Sequence, residues 1–494
     1  MKIHLLRIAN YIHLPAITLI SVVVYLLASY FTYRIGFPLD DAWIHQTYAR
    51  NLGTNFEWSF QPGRSSAGST SPLWSGLLAI GYMLEINPLF WTYLLGWIFL
   101  LSLAFLGGVF LKRLLPSPSQ WHSLAGLVLT FEWHLVWASV SGMETILFSF
   151  LVLITLTWLI AGLKSWLILG AIVGLSIWVR PDGLTLVVPV FLVIFADRNT
   201  WRIRLLSIMQ FLLGLVTLII PYLLLNLSLS GSIWPNTFYA KQAEYSIELL
   251  EPFWLRLIDQ FKLPLIGIGV ILLPGFILFI KEATQKKAWA GLAGCAWIVG
   301  FLFLYAFRLP VTYQHGRYVI PVMPAYLLFA LAGFIPWIKL NSPLFWRRVA
   351  SRSVLIAGGM ILLIFWGMGA RAFGRDVAVI ESEMVACAQW IAQNTEKDAL
   401  VAAHDIGAIG YFGERSLVDL AGLISPEVIP FIRNEDQLAI FLDIQRADYL
   451  VTFPGWYPDL VTKAVEVYRT NARYAPEQGG ENMSIYQWQS IAKP

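Results

Sequence analysis

Two adjacent carboxylates, Asp40 and Asp41, stand in the stretch GFPLDDAWIHQTYARNLG, directly after the first strongly apolar run of the chain. One of them is explained as the start of a helix, where an aspartate accepts orphan backbone N–H groups. The second is spare, and like charges side by side raise one pKa unless a cation or donor answers them. Such a pair at a water–lipid boundary is what a general base for a hydroxyl acceptor requires. WPNTFYAK offers an amide, a phenol and an ammonium at Asn236, Tyr239 and Lys241, and HGRY adds His315 and Arg317. Two cations of this kind suit a phosphate, and suit the growing charge on a departing phosphate better still. The plainer reading of Lys241 is a side chain that snorkels to the interface.

Further ionisable residues lie between apolar segments. Arg180 and Asp182 in RPDG are read either as a paired tight turn, with Gly183 at a left-handed position, or as support for a site. Glu144 in SGMET sits before an apolar run, where the helix dipole alone favours a carboxylate. His404 and Asp405 in AHDIGAIGYFG are read as a polar turn with a scaffold or acceptor-binding role, since GAIG is not a dinucleotide fingerprint. Cys295 and Cys387 have no metal-ligand spacing and are expected to be free thiols.

The elements that must hold these residues are mostly membrane helices. The chain has 494 residues, 57% hydrophobic and 13% charged, with mean hydropathy +0.65. Soluble proteins carry about 25% charged residues, so the composition is that of a membrane protein. Apolar segments fall at about 15–33, 88–111, 124–140, 145–163, 167–179, 184–196, 205–225, 263–280, 288–307, 319–338 and 353–370. The connecting stretches at Lys112–Arg113, 197–204, 281–287 and 339–352 are basic, which predicts that they are cytoplasmic. Eleven crossings from a cytoplasmic N-terminus satisfy all four and leave the C-terminal part extracytoplasmic. No small-residue cleavage site follows the first apolar run, so it is expected to stay as an uncleaved span. PLWSGLLAIGYML, 72–84, is too short to cross and is expected to lie along the outer face.

The fold class expected is therefore mainly α: a polytopic helical bundle over 1–370, with a long first outer loop at 36–87, and a soluble extracytoplasmic α/β domain over 371–494. EMVACAQWIAQNT reads as an amphipathic helix, ALVAAHDIGAIGYFG as a strand entering a turn and helix, and RADYLVTF as another strand. Neither an internal repeat nor a low-complexity tract is evident.

In order along the chain, LDDAWIHQTYARNL, GSTSPLW, GMET, RPDG, PNTFYAK and the RY of HGRY resemble the GT-C membrane glycosyltransferases. The nearest subgroup is that of the mycobacterial terminal β-arabinofuranosyltransferase and its bacterial relatives. The resemblance runs from about residue 36 to 320, and DIGAIGYF…DLAGL in the tail shares it. It implies transfer of a monosaccharide from a polyprenyl-phosphate carrier to a glycan, lipid or protein acceptor outside the plasma membrane, by direct displacement with inversion at the anomeric carbon. It makes Asp40 and Asp41 the acidic pair of the first loop, with Asp40 favoured as base. Lys241 and Arg317 would hold the carrier phosphate, and His315, Arg180, Asp182, Glu144, Asn236 and Tyr239 would line the pocket. The sugar, hexose or pentose, is left open. So is a divalent cation on Asp40 and Asp41, which a vicinal acid pair can hold but which GT-C enzymes using monosaccharide-phosphate lipids often do without.

Two other classes compete. A transporter or flippase of lipid-linked sugars would place its polar sites near the midplane, commonly in repeated halves. A receptor or scaffold using its outer domain would need none of the membrane-side acids and cations. The polar residues gather toward one face without a repeat, which favours the enzyme. Nothing in the chain calls for a nucleic-acid partner.

Overall fold

The structure is a computed structural model that describes residues 13–115 and 119–489. The N-terminus itself, expected to be cytoplasmic, lies outside the described residues. Helix α1, Leu14–Thr32, opens the membrane part, and Gly36, Phe37 and Pro38 end that run before α2, Asp40–Asn55. Asp40 and Asp41 occupy the first turn of α2, where carboxylates complement the helix dipole. Helix α3, Pro72–Met83, starts on Ser71, whose Oγ accepts from Trp74 N at 3.4 Å, with Pro72 in the first helical position. Its twelve residues span only about 18 Å, short of the ~30 Å hydrocarbon layer. It packs on α2 instead.

Seven described helices are long and apolar enough to cross a membrane, or eight when the bent pair Trp121–Phe131 and Trp133–Val140 is one span. Thr145–Ile160, Trp166–Val179 and Pro181–Ala196 are shorter apolar helices. These elements coincide with the apolar segments of the sequence, and the chain is a multi-pass membrane protein. The expected boundary at residue 370 falls inside one continuous helix, Phe345–Ser382, which carries the chain out of the bundle.

Beyond it, five strands form one sheet: β3 (Leu400–Ala403), β4 (Ser416–Asp419), β5 (Tyr449–Thr452), β6 (Ala464–Arg469) and β7 (Ser484–Trp488), while β1 and β2 are the hairpin Ser59–Gln61 and Arg64–Ser65 of the first loop. The order is β4-β3-β5-β7-β6, with β3 parallel to both β4 and β5 and the other pairs antiparallel. The turn after β3 feeds a short helix, Gly407–Phe412. The first loop and this domain are knit together. The Trp43 ring packs tilted against Tyr411, with centroids 4.8 Å apart, and edge-on to Phe412 at 4.6 Å. Arg50 donates to the Tyr411 carbonyl at 2.9 Å, and Gln61 donates to the Leu417 carbonyl at 2.8 Å. One continuous apolar core runs through both.

Candidate active site

Asp40 and Asp41, neighbours in sequence, face different partners. Asp40 is buried, and its two oxygens accept from Gly407 N at 2.6 Å and Ala408 N at 2.8 Å, at the start of the short helix after β3. Burial pushes its carboxyl well up, and nearby Asp405 adds to the effect, while the two N–H groups oppose it. Asp41 lies one residue on and turns to cations. Its Oδ2 accepts from Arg317 Nη2 at 2.6 Å and Lys241 Nζ at 3.2 Å. Burial works against its ionisation, but Lys241 and Arg317 more than offset this and hold the carboxyl far below the usual range.

Lys241 is carried by the helix Asn236–Glu244, and Arg317 by a loop whose Gln314 and His315 adopt left-handed φ of 53° and 58°. Non-glycine residues held there signal a local geometry fixed by its surroundings. Both cations also donate to the Tyr318 hydroxyl, at 3.0 Å each. Arg317 is 5% exposed, yet its Nε and Nη1 have no hydrogen-bond partner among the described residues. Buried donors of this kind call for an explanation, and an anionic ligand supplies one.

Two cavities meet at this cluster. The smaller, about 80 Å³, is bounded by Arg180, Asp182, Glu144, Phe238, Tyr305 and Arg308, together with Lys241 and Arg317. Arg180 donates to Asp182 at 3.0 Å and to the Tyr305 hydroxyl at 3.0 Å, with Glu144 at 3.7 Å. Glu144 in turn lies 3.4 Å from His45 Nε2, whose Nδ1 meets Ser75 Oγ at 3.0 Å. A buried relay thus ties RPDG to the first loop. Arg308 stacks over Phe238 at 3.5 Å.

The larger cavity, about 1060 Å³, contains Asp40 and Asp41 on one wall and shares Lys241 and Arg317 with the smaller one. Another part of its wall is the carboxyl edge of the parallel strands: His404 and Asp405 after β3, Ala421 and Leu423 after β4, Phe453 and Trp456 after β5. That edge is where α/β sheets receive ligands. His404 meets the Tyr457 hydroxyl at 2.7 Å and Glu244 at 3.3 Å. His315 lines this cavity too, 2.7 Å from Asp376, with its ring 5.2 Å from both Trp133 and Trp137.

Of the residues singled out in the sequence, Asp40, Asp41, Lys241, Arg317, His315, Arg180, Asp182 and Glu144 line one or both cavities. Asn236 and Tyr239 line neither. Asn236 donates to the Leu423 carbonyl at 2.9 Å and so docks the lysine helix on the C-terminal domain. Gly183 is not left-handed, contrary to the tight-turn reading. It sits in a 3₁₀ stretch, Pro181–Leu186, where a Cβ would come within 2.5 Å of Ser176 Oγ. Close packing, not a positive φ, is what requires glycine there.

Tyr305, Arg308, Tyr318, Glu244 and Asp376 were not foreseen. Arg308 left a signal: it ends an apolar helix at the end opposite the basic stretch 281–287. The divalent ion left open for the acid pair does not fit these residues. Asp40 spends both oxygens on backbone N–H groups and Asp41 is held by two cations. Among the described residues no three His, Cys, Asp or Glu side chains gather as a metal site.

A family profile described as Domain of unknown function (DUF8728) matches residues 375–486. No curated protein matches the chain by sequence. Among solved structures, ArnT from Cupriavidus metallidurans bound to undecaprenyl phosphate is 14% identical, with TM-score 0.59, over 97% of this chain and 98% of that one. The oligosaccharyltransferase AglB from Archaeoglobus fulgidus, in complex with an inhibitory peptide and a dolichol-phosphate, is 11% identical, with TM-score 0.62, over 97% and 74%. The arabinofuranosyltransferase AftD from Mycobacteria is 15% identical, with TM-score 0.52, over 96% of this chain and 40% of that much longer one. At such identities the likeness is one of architecture, and by it the chain has the GT-C fold.

Proposed function

We propose that this protein is a membrane glycosyltransferase that takes a sugar from a polyprenyl-phosphate carrier and passes it to a hydroxyl on an envelope glycan, lipid or protein. The observation that carries the reading is the meeting of the two cavities at Lys241 and Arg317, the two cations that Asp41 holds from the side of the larger one. The smaller cavity, with four cations and apolar walls, suits a lipid-linked phosphate. The larger suits a bulky polar acceptor. The basic character of the stretches 112–113, 197–204, 281–287 and 339–352 supports an extracytoplasmic site and C-terminal domain.

In the reaction the acceptor hydroxyl gives its proton to a carboxylate and its oxygen bonds to the anomeric carbon. The bond from that carbon to the phosphate oxygen breaks, its electron pair stays on the phosphate, and the anomeric configuration inverts. Asp41 is the carboxylate that faces this junction. Asp40, with both oxygens engaged, fixes the first turn of α2 against the C-terminal domain instead. That departs from the role favoured by the resemblance. Lys241 and Arg317 meet the second negative charge that the phosphate acquires, aided by Arg180 and Arg308.

The test is transfer from radiolabelled polyprenyl-phosphate sugars to crude envelope glycans, with the protein in lipid nanodiscs. Transfer lost in Asp41→Asn supports the reading. Absence of transfer and of carrier hydrolysis with every donor, alongside carrier movement across a proteoliposome bilayer, would replace it with transport.

A further inference from the structure

Asp41 accepts both cations on a single oxygen, Oδ2, and both cations border the smaller cavity as well as the larger. A carboxylate held in this way is an internal substitute for the anion those cations are built to receive. It is also a poor base, because the cations that make it comfortable as an anion lower its affinity for a proton. Base and phosphate site therefore share the same pair of positive charges, and in the absence of a phosphate the base is masked.

We infer that the carrier phosphate displaces Asp41 from Lys241 and Arg317 and thereby turns it into a base, so that the donor must bind before the acceptor proton can be moved. The inference rests on the transferase reading above. Three observations support the exchange. Arg317 keeps Nε and Nη1 unpartnered in a buried setting, so it has donors ready for a second anion while still holding the first. The Tyr318 hydroxyl touches both cations at 3.0 Å and can hold them in place as the anions change over. Asp41 also borders the larger cavity, so the freed carboxylate faces acceptor space rather than apolar core.

The exchange closes a cycle. Before transfer the donor phosphodiester carries one negative charge and draws the cations from Asp41. During transfer the proton passes from the acceptor oxygen to Asp41 while the phosphate gains a second charge, so the cations belong wholly to the product. Asp41 then returns its proton to water in the larger cavity, regains its charge and competes the lipid phosphate away. An enzyme of this design does not take a proton from the acceptor in the absence of donor, since its base exists only beside a bound donor.

The probe is undecaprenyl phosphate, titrated onto the full chain in nanodiscs. Asp41→Asn removes the internal competitor and should bind the lipid about tenfold more tightly than the wild type, while losing transfer. Its melting temperature should rise with added lipid more than that of the wild type. Should the asparagine variant fail to fold, Asp41→Ser gives the same comparison. Lys241→Met should bind weakly whether or not Asp41 is present. Equal or weaker binding by folded Asp41 variants overturns the inference and leaves the transferase reading standing. Failure of the wild type and every variant to bind the lipid overturns the transferase reading itself.

Discussion

Gly407 gives the sharpest test of how the C-terminal domain holds the site. A Cβ built on it falls 2.0 Å from the Asp40 carbonyl oxygen and 2.7 Å from Asp40 Oδ2. Ordinary contact begins at 3.4 Å, so Gly407→Ala must push the two backbones apart by about 1.4 Å. That stretches the 2.6 Å bond from Gly407 N to Asp40 to about 4 Å, beyond any hydrogen bond. Leaving a buried acceptor without its partner costs about 1–3 kcal/mol, so the substitution should cost on the order of 2–4 kcal/mol once strain is included. The larger effect is on rate. Asp41 rides on the same first turn as Asp40, and a displacement of about 1 Å at a reacting group lowers turnover about 10²-fold. The assay is release of carrier phosphate from a labelled polyprenyl-phosphate sugar, with melting temperature read in parallel. Gly76→Ala is the control, since its Cβ meets nothing within 4 Å on helix α3. A Gly407→Ala protein with wild-type rate and wild-type melting temperature would refute the reasoning.

Other outcomes are as specific. Burial raises Asp405 to about 6, with Asp41 and Glu244 adding to the effect and His404 opposing it, so its folded-state pKa lies above the unfolded one. The stability it contributes is present below about pH 4 and lost as pH rises through about 6, so Asp405→Asn should raise the melting temperature at pH 7.5 and not at pH 4. Arg317→Lys keeps the charge but gives up the planar donor set, and should lower kcat/KM for donor by roughly 10²-fold, measured with saturating acceptor. EDTA should leave transfer unchanged, because Asp40 spends both oxygens on backbone N–H groups and no group of three His, Cys, Asp or Glu side chains gathers among the described residues; a loss restored by one divalent ion would show otherwise. His404→Ala removes the contact to Glu244 on the lysine helix and should raise the KM for acceptor more than that for donor.

Local patterns carried far in reading the chain. Apolar length and the basic stretches between runs located the helices, because hydrophobic thickness constrains each segment by itself. The twelve-residue α3 was legible as a non-crossing helix for the same reason, and so was the strand-turn-helix of ALVAAHDIGAIGYFG. What sequence could not divide was the acid pair. Nothing near Asp40 says that its partners are the N–H groups of residues 407 and 408, or that Asp41 answers to Lys241 and Arg317. Asn236 looked like a site residue because it stands close to Lys241 in sequence, yet its amide donates to the Leu423 carbonyl and lines neither cavity. Asp376 and Glu244 were passed over because their partners, His315 and His404, are brought to them only by tertiary packing.

The bond from Gly407 to Asp40 joins residues 367 positions apart. Chains are synthesised at roughly 5–20 residues per second, so Asp40 emerges roughly 20–70 s before its partner exists. Throughout that interval the membrane helices can insert and the cations can find one another, but the part of the larger cavity's wall supplied by residues 404–481 has not been made. Maturation of the site is therefore tied to the end of translation. On the transferase reading proposed above, a chain stalled before residue 407 lacks the donors that fix the first turn of α2 and is expected to be inert.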